Sequence, residues 1–227
     1  MIRNKLVYIF LLLSIITSGL LYKDSFSAYF FQDDWFTLRI SNAKNISEFL
    51  QFFVPRKDII YYRPLGMQVP FFILQKLFGV NPLPFHILGF GFHTINIILV
   101  FLLIRILAKS SPVASLSAFL YGTSMVHYTP AFWPATLPFI MGPTFFFASF
   151  ILFRMSLSKK ESSYYFLSVL VFIIGLLTNE IVIVLIPILL AYRVFMEKFK
   201  IKKILPYILV FFIIFVFRFM VFTPPVH

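Results

Sequence analysis

Phe85-His-Ile-Leu-Gly-Phe-Gly-Phe-His-Thr-Ile-Asn-Ile-Ile-Leu-Val-Phe-Leu-Leu-Ile-Arg-Ile-Leu107 carries one full charge, Arg105, near its far end. About 20 consecutive apolar residues suffice to cross the hydrocarbon of a bilayer as a helix, and this run exceeds that length. Working outward, comparable runs lie at Leu6–Tyr22, Val113–His127, Thr136–Phe153, Tyr164–Thr178, Ile181–Tyr192 and Ile204–Phe222. The whole chain agrees: of 227 residues, 60% are hydrophobic, 12% are charged and 33 are Phe, and the mean hydropathy is +0.94. Such a composition excludes a soluble globular domain. It predicts an all-α membrane protein with about seven transmembrane helices.

The net charge of +12 comes from 20 Lys and Arg against 8 Asp and Glu. In a soluble chain this would point to nucleic acid, but basic residues also collect at cytoplasmic helix ends. Arg3 and Lys5, then Arg105 and Lys109, then Arg154, Lys159 and Lys160, then Arg193, Lys198, Lys200, Lys202 and Lys203 fall at every second connection. The alternate connections, around Tyr128–Pro134 and Thr178–Glu180, have no Lys or Arg. The N-terminus is therefore expected in the cytoplasm, with the segment Lys23–Pro84 and the C-terminus outside. No nucleic acid partner is expected. Cysteine is absent, which excludes disulfides, iron–sulfur clusters and a Cys nucleophile. No Gly-rich phosphate loop or zinc-protease helix is present.

The chain divides into a first membrane helix (residues 1–22), an extracytoplasmic loop (23–84) and six further membrane helices (85–222). The first run follows Arg3 and Lys5 like a signal peptide, but it is long for one and further spans follow, so an anchor is expected. The loop holds five of the eight acids: Asp24, Asp33, Asp34, Glu48 and Asp58. Within it, Ile46, Phe49, Leu50 and Phe53 share a helix face, predicting a short interfacial helix with Ser47 as its N-cap. Leu65–Val80, interrupted by Pro70, Gln75 and Lys76, predicts a second interfacial or re-entrant helix.

Several residues are candidates for chemistry. Asp33 and Asp34, in Phe-Gln-Asp-Asp-Trp-Phe, are two carboxylates among aromatics. They suit a general base together with a ligand for a divalent metal or a sugar hydroxyl, while the plain alternative is a loop that caps a short helix. Tyr62 and Arg63 lead into the interfacial helix, where Arg63 suits a lipid phosphate or a simple interface anchor. His86, His93 and Asn96 share one helix face; interhelical hydrogen bonding is the stronger reading over metal ligation. His127 and Trp133 fall in the second outer connection, as cavity residues or as part of an aromatic belt. Glu180 is the one acid between Tyr164 and Tyr192, a functional position by default. Arg218 is expected as its charged counterpart or as a second phosphate ligand, with snorkelling as the alternative.

These residues together resemble the GT-C type membrane glycosyltransferases, in particular the protein O-mannosyltransferase-like group and its TPR-bearing relatives. The likeness runs over roughly residues 30–218. It rests on Asp33-Asp34, on Tyr62-Arg63-Pro64-Leu65, on Phe78-Gly-Val-Asn-Pro-Leu-Pro-Phe-His86 leading to Phe92-His-Thr-Ile-Asn96, on Val126-His127 with Ala131-Phe132-Trp133, and on Leu176-Leu-Thr-Asn-Glu180. The resemblance implies a polyprenyl-phosphate sugar donor and a protein, lipid or glycan acceptor on the extracytoplasmic face. It implies Asp33 or Asp34 as catalytic base, Arg63 and Arg218 on the donor phosphate, and Tyr62, His86, His93, His127, Trp133 and Glu180 around the cavity. A divalent metal at Asp33 and Asp34 belongs to the same expectation. Thr129, Leu137 and Phe139 stand where many TPR-bearing relatives have Glu, Arg and Asp, and Asn179 stands for their Lys. Family members continue well beyond this module, so a fragment or a minimal module is expected. The rival classes are a transporter or lipid flippase, for which inverted repeats would speak and none is seen, and a non-catalytic assembly subunit.

Overall fold

The computed structural model describes residues 2–57, 59, 61–159, 161–196 and 201–221. Asp58, Lys160, Lys198, Lys200 and Phe222 lie outside the described residues. Among those described there are helices and no strands. Eleven α-helices follow in order: α1 (Ile2–Leu21), α2 (Asp33–Ile40), α3 (Ile46–Leu50), α4 (Val69–Phe78), α5 (Leu83–Ala108), α6 (Ser111–Gly122), α7 (Tyr128–Phe132), α8 (Pro138–Lys159), α9 (Ser162–Thr178), α10 (Leu185–Met196) and α11 (Leu205–Val221).

Each of the seven apolar runs holds a helix. Leu83–Ala108 and Pro134–Ser158 are long and apolar enough to cross a bilayer, while Val7–Leu21, Ser162–Thr178 and Leu205–Met220 are shorter apolar helices. The helix expected over Val113–His127 is α6 and stops at Gly122. Beyond it the Ser124 side chain accepts from the N–H of Val126 and opens a separate 3-10 turn, Met125–His127. The helix expected from Ile181 likewise begins as a 3-10 turn, Glu180–Val184, before α10.

Helix α5 is the centre of the bundle and packs on α1, α6 and α8; α8 pairs with α9, and α9 carries α11. Small residues allow the close approach of α6, where Ala114 and Ala118 are fully buried against Ile97 and Phe101 of α5. A larger aromatic core joins Phe153 of α8, Phe172 of α9, Leu185 and Leu189 of α10 and Tyr207 of α11.

Between apolar helices, hydrogen bonds specify which faces meet. Asn96 of α5 donates to the carbonyl of Ile140 at 2.8 Å and accepts from the Thr144 hydroxyl at 2.6 Å, both on α8. Ser168 of α9 lies 2.7 Å from the Tyr207 hydroxyl and donates to the Ser149 carbonyl at 2.6 Å. His93 places Nε2 2.9 Å from the Ser18 hydroxyl and 3.1 Å from the Gly122 carbonyl, tying α5 to α1 and α6. His86 faces the carbonyls of Ala131 and Ala28 at 3.0 and 3.1 Å. The three polar residues of the α5 face thus bind neighbouring segments.

The long loop folds onto one end of this bundle. Phe30, Leu38 of α2, Phe71 of α4 and Phe85 of α5 form its own small core. Its short helix starts two residues earlier than a cap at Ser47 would allow, with Asn45 as the N-cap. Asn45, in an extended conformation, accepts from the N–H of Glu48 at 2.9 Å, and Glu48 reaches back to the N–H of Lys44 at 2.8 Å. This reciprocal arrangement satisfies two otherwise orphaned donors, which a cap at Ser47 could not do. The second loop helix is α4, entered through a π-turn, Pro64–Gln68.

Candidate functional site

The acidic pair lies at the start of α2, where consecutive residues point about 100° apart around the helix axis. Its two carboxylates therefore part. Asp34 is completely buried and Asp33 is exposed. Asp34 accepts the backbone N–H of Phe31 at 3.0 Å through one oxygen and that of Ala135 at 2.6 Å through the other. It thereby fastens the first loop to the connection between α6 and α8. Burial pushes its carboxyl up to about 6, more than the two N–H donors pull it down, and the adjacent Asp33 adds to the rise. The preceding Gln32 has φ of 45°, a left-handed turn that L-residues adopt at a cost. Phe31 stacks on Trp133 with centroids 5.0 Å apart, a second tie between the same segments.

With both Asp34 oxygens taken, only Asp33 of the pair is open to an ion, whereas a divalent hard cation collects several oxygen ligands. Among the described residues no group of three His, Asp or Glu is placed to hold a metal. The pair does not fit a shared metal.

A second constellation lies where the π-turn meets α9. Arg63 donates from Nε and Nη2 to the two oxygens of Glu180, each at 2.7 Å. The guanidinium also lies 4.6 Å from the ring centroid of Tyr61 and 4.9 Å from that of Phe139. Burial alone would raise the Glu180 carboxyl, but the hydrogen bonds and charge of Arg63, with a through-space contribution from Arg218, hold it below its ordinary value. Arg63 is thus the direct partner of Glu180, in place of the Arg218 expected from sequence; Arg218 acts at longer range. Gly66 makes this junction possible: a Cβ there would come 2.1 Å from the Thr178 carbonyl oxygen. Tyr62 donates to the Phe53 carbonyl at 2.8 Å and sets its ring edge-on to Phe217, beside Arg218 in α11.

Against Phe139 opens a cavity of about 570 Å³, lined by His127, Thr129, Thr136, Phe139, Phe146, Phe147, Ile181 and Val182 among others. Its walls are almost wholly apolar. Phe139 belongs both to this wall and to the cage around Arg63. Thr136 follows Ala135, which binds Asp34, and Ile181 follows Glu180. His127 lies against His93, with centroids 4.7 Å apart, and joins the cavity to a chamber of about 10 Å³ that His86 and His93 also line. A separate, more polar cleft of about 610 Å³ lies on the loop among Ile40, Asn42, Gln51, Phe52 and Gln68.

Of the residues expected from sequence, His127 lines the cavity itself; Asp34 is tied to it only through Ala135, the neighbour of Thr136, and Arg63 and Glu180 only through Phe139 and Ile181. His86 and His93 line the small neighbouring chamber instead. The sequence reading gave no role to Gly66 or Ala135, and it did not place Tyr61 and Phe139 around Arg63. Tyr61 adjoins Tyr62 and Arg63 in the sequence, where the two tyrosines read as an interface anchor; the backbone N–H of Ala135 carries no signal in a side-chain pattern.

Residues 64–222 match the family model described as dolichyl-phosphate-mannose-protein mannosyltransferase. No curated protein and no solved structure matches the chain at a significant level.

Proposed function

Because the chain belongs to the dolichyl-phosphate-mannose-protein mannosyltransferase family, a group of membrane glycosyltransferases with polyprenyl-phosphate sugar donors, we propose that it moves the sugar to a hydroxyl of a protein acceptor on the extracytoplasmic face. The observation that carries this reading is Phe139, whose ring lies over the Arg63 guanidinium and also walls the apolar cavity. A cationic fork beside a greasy chamber matches a ligand with a phosphate head and a hydrocarbon tail. The cavity volume falls in the usual range for ligand sites.

In this reading Asp33 is the base and Asp34 its scaffold. Asp33, open to solvent at the α2 N-terminus, takes the proton of the acceptor hydroxyl. The freed oxygen attacks the anomeric carbon from the side opposite the phosphate. The bond from that carbon to the phosphate oxygen breaks, its electron pair stays on the phosphate, and configuration inverts. Arg63, with Arg218 in support, offsets the charge that grows on the leaving phosphate. The polar cleft around Asn42, Gln51 and Gln68 holds the body of the acceptor, since side-chain amides pair well with peptide groups.

The alternating Lys and Arg support seven spans with the N-terminus inside and the long loop outside. Residues 1–22, 23–84 and 85–222 then act as one module: anchor, working loop and six further spans.

The test is transfer from a polyprenyl-phosphate sugar in membranes holding Asp33→Asn or Asp34→Asn. Asp33→Asn is expected to lower transfer about 10²-fold or more at unchanged protein level, the scale of a lost general base. Full transfer by that variant sinks the assignment.

A further inference from the structure

Arg63 and Glu180 form an unequal pair. Arg63 is fixed: its guanidinium lies between the rings of Tyr61 and Phe139, at 4.6 and 4.9 Å, and its backbone enters a π-turn that Gly66 seats against Thr178. Glu180 has more freedom. Its side chain is 44% exposed against 7% for Arg63, and it opens a 3-10 turn whose own cap is the Asn179 side chain. The carboxylate therefore lies on the open side of the guanidinium. Its two 2.7 Å bonds occupy Nε and Nη2, an edge with which arginine grips a phosphate through two parallel hydrogen bonds. With so little of Arg63 exposed, an anion arriving at that edge meets Glu180 first.

We propose that Glu180 is an internal stand-in for the lipid phosphate: it fills the anion position on Arg63 in the empty protein and gives way when a prenyl-linked phosphate arrives. This rests on the reading that Arg63 holds the donor phosphate. Exchange of one anion for another keeps the caged guanidinium paired throughout, which a charge withdrawn from water requires. The displaced carboxylate has a second cation to turn towards, because Arg218 already attracts it through space. Glu180 also makes the site selective. A neutral headgroup cannot replace a carboxylate on arginine, so lipids without a phosphate are turned away. The stand-in lowers apparent donor affinity by the fraction of time that Arg63 is taken.

Equilibrium binding of farnesyl phosphate and of inorganic phosphate to the 227-residue chain in detergent separates the possibilities. Glu180→Gln, which removes the competing charge, is expected to tighten farnesyl phosphate binding by at least about threefold. Glu180→Asp keeps the charge on a stem one methylene shorter and is expected to tighten it less. Arg63→Ala is expected to abolish binding. Unchanged or weaker binding in Glu180→Gln, with binding lost in Arg63→Ala, would show that Glu180 only positions the arginine, and the stand-in idea falls while the donor site stands. Undiminished binding in Arg63→Ala removes the donor site and the inference with it. Inorganic phosphate is expected to bind more weakly than farnesyl phosphate in the wild-type chain; equal binding overturns a lipid as the occupant. Melting temperatures guard against misfolding, since a fold defect in Glu180→Gln cannot produce tighter binding.

Discussion

Asp33 and Asp34 are neighbours with opposite environments, so the same substitution should have opposite consequences. Asn at position 34 can accept from Ala135 through its one carbonyl oxygen, but its NH₂ would then face the N–H of Phe31, donor against donor. The expected loss is about 1–3 kcal/mol, the scale for a buried polar group left unpaired, seen as a lower melting temperature. Asn at position 33 meets only solvent and should melt like the wild type. Asp34 also gives a pH signature. Its folded value of about 6 lies above the ordinary 3.8, so between these two pH values the folded chain binds more protons than the unfolded one. Stability from this group is greatest below pH 3.8 and declines as pH rises to about 6. Glu180, held below its ordinary value, works in the other direction: its contribution is present above the unfolded value and fades as pH falls through the folded one. The measurement is therefore a difference. The melting temperature of the wild type minus that of Asp34→Asn should fall across the window set by Asp34.

At the scale of elements, the helices of the bundle were legible because long apolar runs admit few other solutions. Their ends were less so. Helix α6 ends at Gly122 because Ser124 caps a new turn, and α2 is absent from any periodic pattern: it forms because Asp34 is anchored at both oxygens from outside the helix. The junction of the π-turn with α9 was hidden for a related reason, since only the folded chain shows that Gly66 lies under the Thr178 carbonyl. That junction makes a prediction of its own. In Gly66→Ala the new methyl group meets a backbone oxygen 2.1 Å away, and no side-chain rotation relieves a backbone clash. A loss of about 1–3 kcal/mol is expected, as for other overpacked positions, with weaker farnesyl phosphate binding as Arg63 is shifted from its place. Gly91, which has nothing within 4 Å of an added Cβ and lies inside α5, is the matched control: Gly91→Ala should leave farnesyl phosphate binding unchanged and should not lower stability, since Ala is the better helix former.

Across the whole molecule, charge and site separate along the bundle. Asp33, Arg63, His127 and Glu180 belong to segments gathered at one end, while Arg105, Arg154 and Arg193 stand near the far ends of α5, α8 and α10. The pairing of distant segments could not be read from the chain, because Asp34 to Ala135 spans 101 residues and Arg63 to Glu180 spans 117; adjacent letters say nothing about such partners. What could be read was the alternation of Lys and Arg, and it yields a direct test. The chain has no native cysteine, so single cysteines report position cleanly. Asn45→Cys should react with an impermeant thiol reagent added outside intact cells, and Lys202→Cys should react only after the membrane is opened. The reverse pattern would invert the proposed orientation.

The clasp made by Asp34 also imposes an order on biogenesis. A ribosome delivers the acid long before Ala135, and at about 5–20 residues per second the wait lasts several seconds or more. Throughout that interval the loop must persist as an unfinished corner with its acid still hydrated. Only when the segment with Ala135 has arrived can the aspartate leave water. The corner would then close before the Arg63–Glu180 pair can form, since Glu180 follows Ala135 in the chain, and a nascent chain stalled short of Ala135 would have neither tie.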